Sequence, residues 1–196
     1  MEYEIVTLKE KIAVGISART NNTASDMGTV IGGLWNLFYN EGVYASVPGK
    51  VNKNTLGIYT DYAGDETADY TVMAACESAE IPRDKNYAVC RIPAGRYAKF
   101  VVYGDMVQAV AAAWQEIWQM DLPRAFRCDF EEYRGDGMEQ AEIHIYVGLT
   151  EDGKDKVEPC ELLKQFAYDE KQGDNGIVTA TYMELTEPKP KKRRKE

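Results

Sequence analysis

The feature that most constrains the fold is a repeat inside the chain. Asp26–Trp35 and Asp105–Trp114, offset by 79 residues, share three of ten positions: the initial Asp-Met pair and the final Trp. Both segments carry apolar residues at helical spacing, so each predicts an amphipathic helix. A predicted strand precedes each helix and two more follow it. Two such strand–helix–strand–strand units predict an α+β fold with pseudo-twofold symmetry and a ligand cleft between the halves.

Around these helices, alternating and β-branched runs predict eight strands. The helices themselves are expected from near Ser25 to Asn40 and from Asp105 to about Met120. The strands are expected at residues 3–8, 11–18, 56–62, 70–76, 87–92, 96–103, 126–133 and 142–149.

The region beyond Leu149 is less regular. Residues 161–172 carry apolar positions typical of a short helix, and residues 177–185 predict a strand. The last segment, 189–196, has no apolar residue that could offset the entropy of ordering, so we expect it to be disordered. The predicted organisation is one domain over residues 1–150, a C-terminal extension over 151–188 and a basic tail over 189–196.

Charge separates the body of the chain from this tail. The net charge is −9, but residues 189–196 hold six of the 23 basic residues and one of the 32 acidic ones. Residues 1–188 therefore carry 17 − 31 = −14, which argues against a general nucleic-acid binder and favours attraction of cations. The tail sequence KPKKRRK fits two interpretations: contact with nucleic acid or an acidic partner, or a solubilising terminus.

The metal-ligating residues do not suggest a metal centre. The four cysteines have no CxxC spacing, and a single histidine, His144, is available to join them. We therefore predict no metal and no cofactor. The N-terminal sequence MEYEIVTLKEK lacks the apolar stretch of a signal peptide, and no apolar run approaches the length of a membrane span. These features predict a cytoplasmic protein with reduced cysteines and no membrane partner.

Three groups of segments resemble the GyrI-like, or effector-binding, family. The first is LGIYTDY at 56–62 with ADY at 68–70, the second is IPAGRYAKF at 92–100 leading to Gly104 and Trp114, and the third is FEEY at 130–133 with EIHIYV at 142–147. With the opening strand, the resemblance spans residues 3–149. The family's tandem strand–helix–strand–strand architecture agrees with the internal repeat.

The resemblance implies a small-molecule-binding protein. The implied ligands are flat, hydrophobic organic molecules, often cationic or amphipathic, held in a pocket between the halves. Family members fused to DNA-binding modules control transcription in response to such ligands. Here the family pattern begins by Tyr3, and the region after Leu149 shows no helix-turn-helix pattern, so we expect a stand-alone effector-binding protein without direct DNA binding. The sequence does not predict an oligomeric state.

Glu131 is the first candidate for the pocket. Period-two alternation places Asp129, Glu131 and Tyr133 on one face of their strand. Glu131 also falls on the glutamate of the family's Phe-Glu-x-Tyr pattern, which implies an acidic ligand-binding position. A carboxylate among aromatic rings suits a desolvated cation. The alternatives are that Glu131 is a solvated edge residue, or that Glu132 takes the inward position.

The last strand offers a second set of candidates. Glu142, His144 and Tyr146 share one face of that strand, opposite three aliphatic residues. Two interpretations stay open at this stage. The face is exposed to solvent, the commoner arrangement for a sheet, or it lines the cleft and brings a second carboxylate and the imidazole to Glu131.

Aromatic residues complete the candidate pocket. The two tryptophans lie at equivalent positions of the two predicted helices, where they either flank the cleft or pack in the core. Tyrosines that share strand faces with polar residues supply rings with a hydroxyl group. The aromatic candidates are Tyr59, Tyr97, Tyr103, Tyr133, Tyr146, Trp35 and Trp114.

Three functional hypotheses follow. The leading one is a binding or effector-sensing protein for hydrophobic aromatic molecules that are cationic or amphipathic. The alternative, implied by the resemblance, is a hydrolase of cyclopropane-containing DNA-alkylating compounds, in which Glu131 and Glu142 act as an acid–base pair. The third is a protein-interaction role such as gyrase binding, which one branch of the family performs.

Overall fold

The structure of the chain is a computed structural model. It describes residues 1–83, 86–135 and 141–150, together with three short strands at 162–164, 171–172 and 178–179. The helices are α1 (Met27–Asn40), α2 (Val43–Ser46) and α3 (Gln108–Ile117). The strands are β1 (Glu4–Leu8), β2 (Lys11–Thr20), β3 (Thr55–Thr60), β4 (Tyr70–Ser78), β5 (Ala88–Ile92), β6 (Gly95–Gly104), β7 (Cys128–Arg134), β8 (Ala141–Gly148), β9 (Leu162–Lys164), β10 (Lys171–Gln172) and β11 (Val178–Thr179).

The sheet confirms the predicted pair of strand–helix–strand–strand units. Its order is β1-β6-β8-β7-β3-β4-β2-β5-β9, with antiparallel pairing throughout. One unit supplies β2, α1, β3 and β4, and the other supplies β6, α3, β7 and β8. The units meet where β3 pairs with β7, so the strand order on one side of this junction mirrors the order on the other. The result is a curled antiparallel sheet with helices, an α+β fold.

Each half of the helix-bearing face has its own core. Leu34 and Phe38 of α1 pack with buried residues of β2 and β4, whereas Trp114 and Ile117 of α3 pack with residues of β6 and β8. Trp35 and Tyr59 are partly buried and contact both clusters. The two helices therefore flank a region over the β3–β7 junction where the two cores meet.

Part of the opposite face of the sheet is also buried. There Leu56, Ile58, Met73, Tyr97 and Phe130 belong to a third hydrophobic cluster, which the curl of the sheet brings together. The central strands are therefore buried on both faces, and polar side chains buried there need hydrogen-bond partners within the protein.

Several element boundaries differ from the sequence prediction. The strand predicted from residue 126 begins at Cys128, because Phe126 adopts a left-handed backbone (φ 47°) that a strand does not accommodate. α3 is shorter than predicted, and the short helix α2 was not predicted.

The helix predicted at residues 161–172 is wrong where the structure describes it. Leu162–Lys164 forms β9 on the outer edge of β5, and Lys171–Gln172 pairs with Val178–Thr179. A short apolar run fits either a helix or a strand, and here backbone pairing with other strands decides. β11 lies within the strand predicted at 177–185. The rest of the C-terminal extension and the basic tail at 189–196 lie outside the described residues, so the domain division at residue 150 stays a prediction.

Membrane insertion by a helix finds no support in the described part of the chain. Neither α1 nor any other helix there combines the length and apolar composition that crossing a bilayer requires.

Candidate functional site

Glu131 lies on the helix-bearing face of the central strand β7. β7 pairs with β3 on one side and β8 on the other, and Glu131 is directly opposite Gly57 of β3. Only 1% of Glu131 is exposed. Its neighbour on the same strand, Glu132, points to the other face and contacts Asn54. Of the two glutamates, Glu131 is the one that points between the helices.

The Glu131 carboxylate accepts three hydrogen bonds from aromatic side chains. The Tyr59 hydroxyl and the Trp114 Nε1–H both donate to Oε1, at 2.8 and 2.6 Å. The Tyr133 hydroxyl donates to Oε2 at 2.6 Å. The donors come from both halves of the fold, since Tyr59 lies on β3, Tyr133 on β7 and Trp114 on α3. The carboxylate thus joins the two halves at their junction.

Gly57 makes room for this carboxylate. A Cβ atom at position 57 would lie 2.7 Å from Oε2 of Glu131 and 3.3 Å from Cζ2 of Trp35. Both distances are shorter than ordinary van der Waals contact. Glu131 therefore reaches its buried position because the residue opposite it has no side chain.

Charge compensation distinguishes Glu131 from the acidic residue next to it on the same face. Asp129 is fully buried and forms an ion pair with Arg124, Oδ2 to Nη2 at 2.8 Å. Among the residues that the structure describes, none forms an ion pair with Glu131. Burial raises the pKa of Glu131, and the three hydrogen bonds oppose that rise. Glu131 is a buried acid stabilised by neutral donors alone.

The hydroxyl donors are themselves held in the protonated form. Burial, and then the adjacent Glu131 charge, raise the pKa of Tyr59 and of Tyr133 well above the usual value for tyrosine. Both phenols therefore remain donors at any physiological pH. The negative charge of the ionised site stays on the carboxylate.

A series of rings leads from the carboxylate towards the surface. Trp35 of α1 meets Tyr133 edge-on with centroids 5.4 Å apart, and it stacks on Tyr39 at 5.7 Å. Tyr39 is 44% exposed, and its hydroxyl group contacts Thr55 Oγ1 at 2.9 Å. On the other side, Tyr59 meets Trp114 edge-on at 5.6 Å. The two tryptophans thus lie near the carboxylate, one on each helix, and both also pack with the hydrophobic clusters of the helix-bearing face.

Sequence reasoning missed several members of this site. Gly57 and Tyr39 were not predicted, nor were Tyr62 and Arg124. Both of these last residues bind the Asp129 carboxylate: the Tyr62 hydroxyl donates to Oδ2 at 2.8 Å, and Arg124 forms the ion pair with it. Alternation had placed Asp129 on the same face as Glu131, but nothing local to the sequence signals its partners.

The other strand candidates do not join Glu131. Glu142, His144 and Tyr146 lie on the opposite face of the sheet, where His144 Nε2 is 2.7 Å from Glu142 and Tyr146 stacks on Phe130. Phe130, on the face of β7 away from Glu131, belongs to the third cluster with Tyr146. The interpretation in which this set lines the cleft with Glu131 is therefore wrong, because alternation on β7 and β8 directs the two sets to opposite faces.

Two further tyrosines are also outside the Glu131 site. Tyr97 is buried on the opposite face and donates its hydroxyl hydrogen to the Pro93 carbonyl oxygen at 2.9 Å. Tyr103, on the same face of β6, is 71% exposed. Five of the predicted ligand-binding residues thus come together, namely Glu131, Tyr133, Tyr59, Trp35 and Trp114.

This geometry bears on possible chemistry. Glu131 and Glu142 lie on opposite faces of the sheet, so they cannot act on one substrate as an acid–base pair. Within the described ranges, no three His, Cys, Asp or Glu side chains are placed to hold a metal ion. The arrangement offers a buried carboxyl group enclosed by aromatic rings, which suits binding.

The comparisons with known proteins show the family to which the chain belongs. Residues 4–149 match the family model described as integron-associated effector binding protein. The chain belongs to this family. It is a GyrI-like family, so the resemblance predicted from the three groups of segments is confirmed. Effector binding is the binding of a small molecule, and this part of the functional prediction is confirmed as well. A comparison with proteins of curated function finds no match.

Solved structures share the fold. The structure of SAV2435 bound to tetraphenylphosphonium matches with a TM-score of 0.64 and 20% identity, over 76% of this chain and 94% of that one. An integron cassette protein from the mobile metagenome of Vibrio cholerae matches with a TM-score of 0.59 and 29% identity, over 74% and 95% of the chains. A bacterial transcription regulation protein from Staphylococcus aureus MU50 matches with a TM-score of 0.58 and 23% identity, over 76% and 99%.

Proposed function

We propose that this effector-binding protein takes hydrophobic organic cations that carry aromatic rings, and that Glu131 supplies the opposite charge. The observation that carries the proposal is the isolation of the Glu131 carboxylate. It is buried, it accepts three hydrogen bonds from neutral donors, and no described cation pairs with it.

Burying a carboxylate without a cation is costly, and hydrogen bonds recover only part of the cost. The raised pKa of Glu131 expresses this cost, since burial favours the neutral acid. A cation placed against the carboxylate would remove the penalty. A bound cation also gains about 0.5–2 kcal/mol from each aromatic face that it contacts. A ligand with hydrophobic rings around its charge satisfies both requirements.

Two further observations support this ligand class. Residues 1–188 carry a net charge of −14, which attracts cations from solution. SAV2435, which shares the fold, was solved with tetraphenylphosphonium, a cation surrounded by four phenyl rings.

Access to the carboxylate requires the rings to part. Glu131 is almost fully buried, whereas Tyr39, at the outer end of the ring series through Trp35, is 44% exposed. Trp35 and Tyr39 belong to α1, outside the sheet. We propose that ligands enter on this side, between α1 and the β3–β7 junction, by displacing the stacked rings.

We also propose a cytoplasmic location. Cys76 is a buried thiol whose pKa burial raises to about 11, which is typical of an unreactive, reduced cysteine. Buried thiols of this kind are compatible with a reducing compartment.

The test is calorimetric titration with two ligands of the same shape and opposite charge. Tetraphenylphosphonium is expected to bind and tetraphenylborate is not. Replacement of Glu131 by Gln removes the charge at nearly constant volume and is expected to weaken phosphonium binding by roughly tenfold or more, the loss of one desolvated ion pair. The matched control is Glu142→Gln on the opposite face, which is expected to leave the affinity unchanged.

The outcomes separate charge recognition from simple hydrophobic binding. Equal affinity for the two tetraphenyl ions, or unchanged phosphonium binding by the Glu131→Gln variant, would contradict the proposal. A weaker affinity in the Glu142→Gln variant than in the Glu131→Gln variant would relocate the site to the other face.

Hydrolysis of cyclopropane-bearing electrophiles stays a prediction. The carboxylate pair that motivated it is not assembled, so turnover would have to depend on Glu131 with its aromatic donors. Mass spectrometry for the water adduct, after incubation with such a compound, tests it directly.

A further inference from the structure

The hydrogen bonds at Glu131 have a consequence for ligand selection, provided that the proposed function holds. A carboxylate offers about four lone-pair positions, two on each oxygen. Oε1 already accepts from Tyr59 and from Trp114, so both of its positions are occupied. Oε2 accepts from Tyr133 on one side.

The surroundings of Oε2 are crowded on the side of Gly57. Gly57 lies directly opposite Glu131 in the β3–β7 pairing, and its missing Cβ would be only 2.7 Å from Oε2. Little space is left there for a donor group of a ligand. The carboxylate therefore presents its charge without an open position for accepting another hydrogen bond.

Two of the three donors belong to the sheet, and the third belongs to a helix. Tyr59 and Tyr133 lie on the neighbouring strands β3 and β7, at the centre of the sheet. Parting the helices to admit a ligand can move Trp114 on α3, but it leaves both tyrosine donors in place. Only the lone pair on Oε1 that accepts from Trp114 would then become available to accept a hydrogen bond from a ligand.

We propose that Tyr59 and Tyr133 are specificity-determining residues that make the site select cations without N–H donors. A quaternary ammonium or phosphonium ion loses no strong hydrogen bond when it leaves water. A primary ammonium ion of the same ring skeleton brings three N–H groups and finds at most one acceptor on Glu131. Each donor left without an acceptor is expected to cost the ligand roughly five- to tenfold or more in affinity.

The experiment compares two ligands with one ring skeleton, biphenylmethyl-trimethylammonium and biphenylmethylammonium, by calorimetry at about pH 8, where primary amines remain protonated. Wild-type protein is expected to prefer the trimethylammonium ion by at least roughly tenfold. Replacement of Tyr133 by Phe frees a lone pair on Oε2 while keeping the ring. We expect this variant to bind the primary ammonium ion more tightly than the wild type does. The ratio of the affinities for the trimethylammonium and the primary ammonium ion is then expected to fall at least about threefold.

Tyr59→Phe repeats the test at Oε1, so the inference stays testable if one variant fails to fold. Tyr146→Phe, on the opposite face of the sheet, is the matched control and is expected to keep the wild-type preference. The trimethylammonium affinity of the Phe variants reports whether Glu131 is still ionised, because loss of its charge would weaken both ligands.

The outcomes distinguish this inference from the proposed function on which it rests. If neither cation binds to the wild type, cation recognition itself fails and the inference fails with it. If both bind with similar affinity, the proposed function stands and the selection is refuted. A preference that persists unchanged in Tyr133→Phe and Tyr59→Phe also refutes it, because the preference would then come from the hydration of the ligands alone.

Discussion

Replacing Gly57 by Ala tests the geometry of the Glu131 site most directly. The new Cβ would lie 2.7 Å from Oε2, and ordinary contact begins at 3.4 Å, so the carboxylate must retreat by about 0.7 Å. A shift of that size away from Gly57 disturbs the 2.6 Å hydrogen bond from Tyr133. The 3.3 Å approach to Trp35 limits relief in that direction.

The expected magnitude follows from opposing contributions. Overpacking costs about 1–3 kcal/mol, and weakening one hydrogen bond to a charged group costs about 1.5–3 kcal/mol. The lower entropy of alanine in the unfolded chain returns about 0.5–1 kcal/mol. We therefore expect the free energy of unfolding to fall by about 1.5–5.5 kcal/mol. Each kcal/mol lowers the melting temperature of a chain of this size by roughly 2–4 °C.

Thermal and denaturant unfolding measure this change, and phosphonium titration should show weaker binding in the same variant. The control is Gly32→Ala on α1, where a Cβ would meet nothing within 4 Å, and which is expected to stabilise the helix by up to about 1 kcal/mol. In a Glu131→Ala background, Gly57→Ala should lower the free energy of unfolding much less, since the Oε2 atom that the new Cβ would meet is absent. Wild-type stability and binding in Gly57→Ala would refute the reasoning.

Three other predictions follow from the charged groups. Because its pKa is raised, Glu131 holds its proton more tightly in the folded state than in the unfolded state. Its contribution to the free energy of unfolding should therefore fall as the pH rises from about 4.5 through the raised pKa. The affinity for phosphonium should rise over the same pH range, because the carboxyl group becomes ionised. Denaturation and titration across pH, with Glu131→Gln as the variant that abolishes both slopes, measure this; slopes of the opposite sign would contradict it. Arg124→Met should lower the free energy of unfolding by about 3–5 kcal/mol, because it leaves the fully buried Asp129 carboxylate without its cation. A loss below about 1 kcal/mol would show that water reaches that carboxylate. Lys50→Met should cost about 1–3 kcal/mol in chemical denaturation, because the Lys50 ammonium donates to three backbone carbonyls at 2.9–3.2 Å, and an unchanged midpoint would show that water replaces it.

The sequence by itself determined the two long helices, the eight strands up to residue 149 and the order of these elements. The repeat of Asp26–Trp35 at Asp105–Trp114 predicted the two halves, because helical and strand periodicities are local properties that survive in any tertiary context. The same alternation correctly set Glu131 and Tyr133 on one face of β7 and the Glu142 set on one face of β8.

Only the tertiary structure decided which of these faces meet. Alternation within a strand does not state which side the helices cover, so the sequence left Glu142, His144 and Tyr146 open between solvent and cleft. The register of β7 with β8 places these three residues on the face of the sheet away from Glu131. The sequence also could not predict Gly57 against Glu131, or Arg124 beside Asp129. The contact between Gly57 and Glu131 depends on the register between two strands that are far apart in the chain. The ion pair between Arg124 and Asp129 depends on the path that the chain takes before it enters β7. The Glu131 carboxyl group, the aromatic residues around it and the two helices could therefore be predicted from the sequence. The enclosure of Glu131 could not, because it arises from long-range strand pairing across the junction of the two halves.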